Sequence, residues 1–223
     1  MLAVACGAAL AQPGFVGVPV GEATVLISYP RGFTLVDSSH DLQRIAEESI
    51  PPSNRLVAYF ARRSDLRARS QGKLASFNRY FLVQTLRKIE DQSFSAADFA
   101  RLRGIAKNQQ SEALAKLEPR LAELSHDLEK HRSADAGTLP RLQVGDIVPL
   151  GIYQDSESCV SFGAMSRAQS ADDRTVLNVT SIVTVKGKVL FLYTYASVAG
   201  RKDVEWAKHA SATWSNDVVA LNR

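Results

Sequence analysis

The chain is poor in the residues that metal and redox chemistry need, with two cysteines, two methionines and four histidines among 223 residues. Cys6 lies in an apolar N-terminal run, which leaves Cys159 alone in the body of the chain. One thiol makes neither an internal disulfide nor a cysteine zinc site. His126 and His131 are five apart, which turns them about 140° from each other on a helix, so they cannot share a metal as an i, i+4 pair does. Glu129 adds a second group beside His126, but two ligands do not make a zinc site. His40 and His209 stand alone. Gly14, Gly17 and Gly21 miss the G-x-G-x-x-G spacing and no P-loop occurs, so neither a metal nor a cofactor is expected. No stretch reaches the ~18 consecutive apolar residues of a membrane span, so the mature chain is expected to be soluble and without a transmembrane segment.

What is present starts at residue 1. In MLAVACGAALAQP, Ala3 to Leu10 is small or apolar throughout, and Ala9-Leu10-Ala11 offers the small-x-small pattern of a signal-peptidase site. Residues 1–11 read as a secretory signal that lacks its basic leading segment. The expected location is therefore periplasmic or secreted, with residues 12–223 as a single domain. Ala3-Val4-Ala5-Cys6 also resembles a lipobox with Ala in the usual Leu position, and the alternative is a chain lipid-anchored at Cys6. An exported protein without a bridge depends on its core, which suits a bacterial periplasm. Hydrophobic residues at 45% and charged residues at 22% are ordinary for a globular domain and exclude general disorder.

The formal charge of +4 is unevenly spread. Between Arg55 and Lys88 there are nine basic residues and one acid, Asp65. Arg62, Arg63, Arg67, Arg69, Lys73 and Arg79 form a candidate anion-binding patch for a phosphate, a lipid headgroup or lipopolysaccharide. A solvated rim that only keeps the protein soluble has the same composition. Export and the lack of a recognition motif argue against nucleic acid.

Hydrophobic periodicity places the elements. Residues 12–22 read as an extended leader, and Ala23 to Tyr29 as a strand stopped by Pro30-Arg31-Gly32. Ser39 is placed to cap a helix from His40 to Ser49 that ends at Pro51-Pro52. Arg55 to Arg62 and Phe77 to Ile89 read as strands, and Ser64 to Ser76 as a polar, basic loop. Ser95 to Asp98 is a capping-box-like start. Phe99, Leu102, Ile105 and Ala106 make one helical stripe, and Leu114 to Leu128 a second out of register with it. A bend or break between Asn108 and Pro119 is therefore expected. After a linker at Ser133 to Pro140 come strands from Val144 to Tyr153 and Cys159 to Ser166. Thr175 to Val185 and Val189 to Ser197 then flank Lys186-Gly187-Lys188, a strong hairpin signal. Asp203 to Leu221 is a closing helix with Val204, Ala207, Ser211, Trp214, Val218 and Leu221 on its inner face. The fold class is α+β: an antiparallel sheet sandwiched by helices, with a helical insertion at about 94–132.

No catalytic constellation emerges. Ser70-Gln71-Gly72-Lys73 matches S-x-x-K but lacks the accompanying S-D-N and K-T-G elements. Cys159 sits in a strand without a histidine motif and reads as a small buried hydrophobe. Asp172-Asp173 reads as a solvated turn. Trp206 and Trp214, eight apart, read as core.

The strand running into Tyr29-Pro30-Arg31-Gly32-Phe33, the hairpin GKVLFLYTYAS and the helix WAKHASATWSNDVVALN together resemble the PsbP-like α/β/α sandwich. That fold is shared by a photosystem II extrinsic subunit and a small Ran-binding import factor. The insert from Phe94 to Arg132 departs from the family's minimal pattern. The resemblance implies a non-catalytic binding or accessory protein and carries no active-site residues with it. The expected function is thus an exported accessory module whose partner is an envelope protein or an anionic surface. Direct binding to anionic membrane or lipopolysaccharide through residues 55–88 is the alternative, and a hydrolase with an unrecognised site is a third.

Overall fold

The computed structural model describes residues 14–38, 40–73, 77–130, 147–167 and 174–223, with backbone alone from 117 to 130. The signal-like segment, Cys6, Ser39, the 133–140 linker and Asp172-Asp173 lie outside these residues.

Two short strands, β1 (Phe15–Val20) and β2 (Ala23–Ser28), form an antiparallel ribbon. Residues 15–20 are thus a strand and not the extended leader the Gly and Pro content suggests. Pro19 is tolerated because a two-stranded ribbon has a free edge. Gly21 opens the connecting turn at φ +54, where a side chain would meet the Glu90 carbonyl at 2.5 Å.

The main sheet has seven strands, all antiparallel, in the order β3-β4-β5-β9-β8-β7-β6. They are β3 (Phe33–Leu35), β4 (Asn54–Arg62), β5 (Arg79–Leu86), β6 (Ile147–Ser156), β7 (Cys159–Arg167), β8 (Thr175–Val185) and β9 (Lys188–Ser197). Lys186 (φ 49) and Gly187 (φ 71) make the two-residue β8–β9 turn, and Lys188 already pairs with Val185. Two successive positive φ values are the signature of a type I′ turn, which matches the twist of the strands it joins.

Alternation along the strands builds two buried faces. On one, Phe60, Phe81, Val83, Cys159, Val183, Leu190 and Leu192 meet α4 (Arg201–Leu221) and the β1–β2 ribbon. Trp214 anchors this layer. It packs edge-on against Phe60 and Phe81, and its indole N–H donates to the Ser28 carbonyl at 2.8 Å. Asn222 clamps the ribbon by accepting from the Leu26 N–H and donating to the Leu26 carbonyl. Ala207, Ser211, Trp214 and Val218 are buried as expected, whereas Leu221 is 37% exposed because the helix reaches the rim of the sheet there.

The opposite face carries three helices. α1 (Asp41–Ser49) and α2 (Arg63–Ser70) lie beside β4, and α3 (Ala96–Lys130) over β6 and β7. The α1 cap is His40, whose Nδ1 accepts from the Leu42 N–H at 3.2 Å. α2 occupies the first half of the segment expected to be loop. Leu66 alone packs it against the β4 face, too little apolar content to read from periodicity. Ser95 and Asp98 do form the reciprocal capping box of α3. That helix is unbroken through Pro119 to Lys130, so of the expected bend or break the break is absent. Phe99 and Ala106 are buried under it, but Ile105 is 56% exposed and does not belong to the stripe. Lys107 and Arg103 tie α3 to Asp155 of β6 at 2.5 and 3.3 Å. The whole is an α+β sandwich of three layers, with one helix inserted mid-chain. No helix among the described residues is long and apolar enough to cross a membrane.

Candidate anion-binding site

Strand pairing brings distant basic residues to one end of the sheet. β4 ends at Arg62 and β5 begins at Arg79. Their register, Phe60 with Phe81 and Ala61 with Tyr80, sets Arg62 and Arg79 opposite each other on the α4 face. Two like charges in cross-strand positions repel unless something anionic lies between or beside them. β9 and β8 bring Ser197 and Thr175 to the same end, and Arg174 precedes Thr175. The first turn of α4 closes the group with Asp203. These residues line a cavity of about 670 Å³ that also includes Asn78, within the ~300–1,000 Å³ range of small-molecule sites.

The three guanidinium groups are held differently. Arg79 pairs with Asp203 at 2.7 Å and lies over the Trp206 ring, 4.1 Å from its centroid. Arg174 donates to Asn78 Oδ1 at 2.9 Å. Arg62 lies over Phe33, 5.7 Å from the ring centroid, and makes no ion pair among the described residues. Asp203 also accepts the Ala199 N–H at 3.0 Å, which fixes its carboxylate at the head of the helix. Burial pushes Asp203 up, but the Arg79 hydrogen bond and charge and the Ala199 and Gly200 amides outweigh it and hold the group below its ordinary value. The carboxylate therefore stays ionised and keeps the Arg79 fork oriented, while Arg62 lines the cavity beside it.

No protein-family model matches the chain, and no curated protein sequence matches it.

Of the six residues in the sequence-level patch, Arg62 and Arg79 meet in the cleft. Arg63, Arg67 and Arg69 lie exposed on α2, with Arg69 paired to Asp41 at 2.7 Å, and Lys73 is exposed just beyond that helix. Arg55 is far along β4, where its Nε donates to Glu90 at 3.0 Å. The nine-residue basic run therefore does not form one surface. Arg174, Asn78 and Asp203 escape sequence reasoning because only the β5-β9-β8 pairing brings residues 78, 174 and 203 together. Trp206 is half-buried beneath Arg79, unlike the fully packed Trp214.

A second cavity, of about 500 Å³, lies at the far end of α4 beside Cys159, Asn216 and Arg223. Cys159 is 1% exposed, and burial pushes its thiol up against the opposing hydrogen bonds from Ser161 and Ser215. From there a buried chain of hydroxyls runs between sheet and helix. Ser161 meets Ser181 at 2.7 Å, Ser181 meets Ser211 at 2.9 Å, and Ser161 and Ser215 both donate to Gln154 Oε1. Small hydroxylated side chains let α4 approach the sheet closely while satisfying one another. Among the described residues there is no group of three or more His, Cys, Asp or Glu side chains placed to hold a metal. Ser70 of the S-x-x-K tetrapeptide donates to the Arg67 carbonyl and ends α2 on the surface.

Proposed function

We propose that the protein is a binding module of the bacterial cell envelope without chemistry of its own, and that it holds an anionic ligand in the arginine cleft. The observation that carries this reading is the pairing of Arg62 with Arg79 at the mouth of a polar cavity, where one carboxylate engages only one of them. A guanidinium fork with unused donors is matched by a carboxylate or phosphate in bidentate geometry. The signal-like N-terminus and the likeness to the PsbP-like sandwich support export and an accessory role. Titration with inorganic phosphate at low ionic strength tests the cleft. Saturable heat that weakens with salt and is lost in R62A/R79A is expected, and heat unchanged in that variant overturns the reading. Cell fractionation tests the compartment, and recovery from cytosol alone would sink it.

A second reading has its own observation. α2 buries none of its residues and exposes Arg63 and Arg67 one turn apart, with Lys73 following. That face suits an anionic lipid surface. Co-sedimentation with phosphatidylglycerol vesicles, lost in R63A/R67A and retained in R62A, would favour it over the cleft.

A further inference from the structure

Resting on the cleft as an anion site, we propose that its ligand class is a phosphomonoester carried on a hydroxylated body, such as a sugar phosphate. Three observations converge. First, charge favours phosphate. Arg62 and Arg79 are cross-strand neighbours, and a phosphomonoester at neutral pH carries about −1.5 to −2 and three acceptor oxygens, enough for both forks at once. A carboxylate has two oxygens and one charge, and Asp203 already supplies that much to Arg79. Secondly, the cavity has room for more than the oxyanion. A cavity of about 670 Å³ leaves most of its space empty around an inorganic phosphate.

Thirdly, the rest of the wall is polar. Asn78 and Thr175 line it together with the Asp203 carboxylate, and Val198 and Ala199 contribute only small apolar surfaces, whereas alternation turns the Ser197 side chain with Tyr193 and Tyr195 to the other face of the sheet. Hydroxyl and amide groups of this kind bond to ligand hydroxyls, whereas a fatty or aromatic body would strip water from them without replacing its hydrogen bonds. In the resulting arrangement the phosphate bridges Arg62 and Arg79, and the hydroxylated body extends toward Thr175 and Asn78. Asp203 acts as a positioning residue. It holds Arg79 against Trp206 so that the guanidinium does not collapse onto Arg62's share of the anion.

Isothermal titration of the full chain with glucose 1-phosphate, inorganic phosphate, glucuronate and glucose tests this. Glucose 1-phosphate should bind about tenfold tighter than inorganic phosphate and than glucuronate, with no heat from glucose. R62A should weaken glucose 1-phosphate by at least about tenfold, and R62K should recover part of the loss, since lysine keeps the charge but not the fork. Thr175→Val should remove the advantage of glucose 1-phosphate over inorganic phosphate. Inorganic phosphate binding as tightly as glucose 1-phosphate would overturn the hydroxylated body and leave the anion site standing. Glucuronate matching glucose 1-phosphate would overturn the preference for phosphate. If no anion binds, or if R62A, R62K and R79A all bind like wild type, both this inference and the anion site fall. Near-ultraviolet circular dichroism of each variant identifies any loss that reflects unfolding, and R62K, which keeps the stem over Phe33, decides the matter where R62A does not fold.

Discussion

Arg79 lies flat over Trp206, its guanidinium carbon 4.1 Å from the ring centroid, and thereby joins the sheet to the second turn of α4. An indole face in contact with a cation reports on that cation's other partners. Trp214 sits deeper, 2% exposed between Phe60 and Phe81, and is shielded from the cleft. Phosphate binding should therefore change the intrinsic emission through Trp206 alone. W206F should abolish the change in a fluorescence titration, and an equal response from that variant would place the anion elsewhere.

Acid should destabilise the protein through two ion pairs. Glu90 is held below its ordinary value by the Arg55 hydrogen bond, and Asp203 by Arg79 and backbone amides against the opposing effect of burial. Both folded values lie below the unfolded ones, so the stability they confer is present above the ordinary carboxylate range and is lost as pH falls through the folded values. Urea midpoints should be level from about pH 7 to pH 5 and decline below, near and under the reference values of 4.5 and 3.8. E90Q and D203N should each flatten the decline. A wild-type curve that keeps rising as pH drops from 5 to 3 would contradict the assignment.

Tyr153 carries a buried hydroxyl with no hydrogen-bond partner among the described residues, and burial alone pushes its phenol up. Leaving such a group unsatisfied costs about 1–3 kcal/mol. Y153F should therefore raise the unfolding free energy, by about 1 kcal/mol. Gly163 opposite is required, because a Cβ there would come within 2.1 Å of that oxygen. G163A should lower the unfolding free energy measured by urea titration, by about 1–3 kcal/mol.

The β8–β9 turn can be improved at one position and not at the other. Lys186 takes a positive φ that costs most side chains about 1 kcal/mol and asparagine less. K186N should stabilise by about 0.5 kcal/mol on that basis. G187A combines the same strain with a contact of 2.7 Å to Ser93 Oγ, and should destabilise by more than 1 kcal/mol, roughly. Thermal melts of the pair check both signs.

Cys159 should be inert while the protein is folded. Its thiol is buried and raised, so little thiolate exists to react near neutral pH. Iodoacetamide at pH 7.5 should leave the Cys159 peptide unmodified until denaturant is added, as read by peptide mass mapping. Rapid labelling of the native chain would mean that the neighbouring cavity opens.

The β8–β9 hairpin was legible because β-rich runs flank a Lys-Gly turn, and α4 because its apolar residues keep one period. β1 was hidden by Pro19 and three glycines, which read as coil unless an edge strand is considered. α2 was hidden because only Leu66 and Ala68 of its eight residues are apolar, too few to show a period. The candidate site was half legible. Arg62 and Arg79 stood out in a charge count, yet that count also included Arg55, Arg63 and Arg67, which point to other places. Which arginines converge depends on strand register, and register between strands far apart in sequence leaves no local mark.

The middle of the sheet has a consequence for how the chain reaches its structure. β9 lies between β5 and β8, and Thr85 bonds the Val189 carbonyl across 104 residues. Trp214 reaches back 186 residues to Ser28. Sheets closed by such distant partners fold on the slow side, in roughly milliseconds to seconds, because loop-closure entropy must be met before native pairing compensates for it. While a ribosome is still making β8, the edges of β5 and β8 have no neighbour, and the apolar face beneath Phe60 and Phe81 lacks its covering helix. The centre of the sheet is therefore completed only after β9 and α4 have been made, and until then those edges and that face are open to a chaperone.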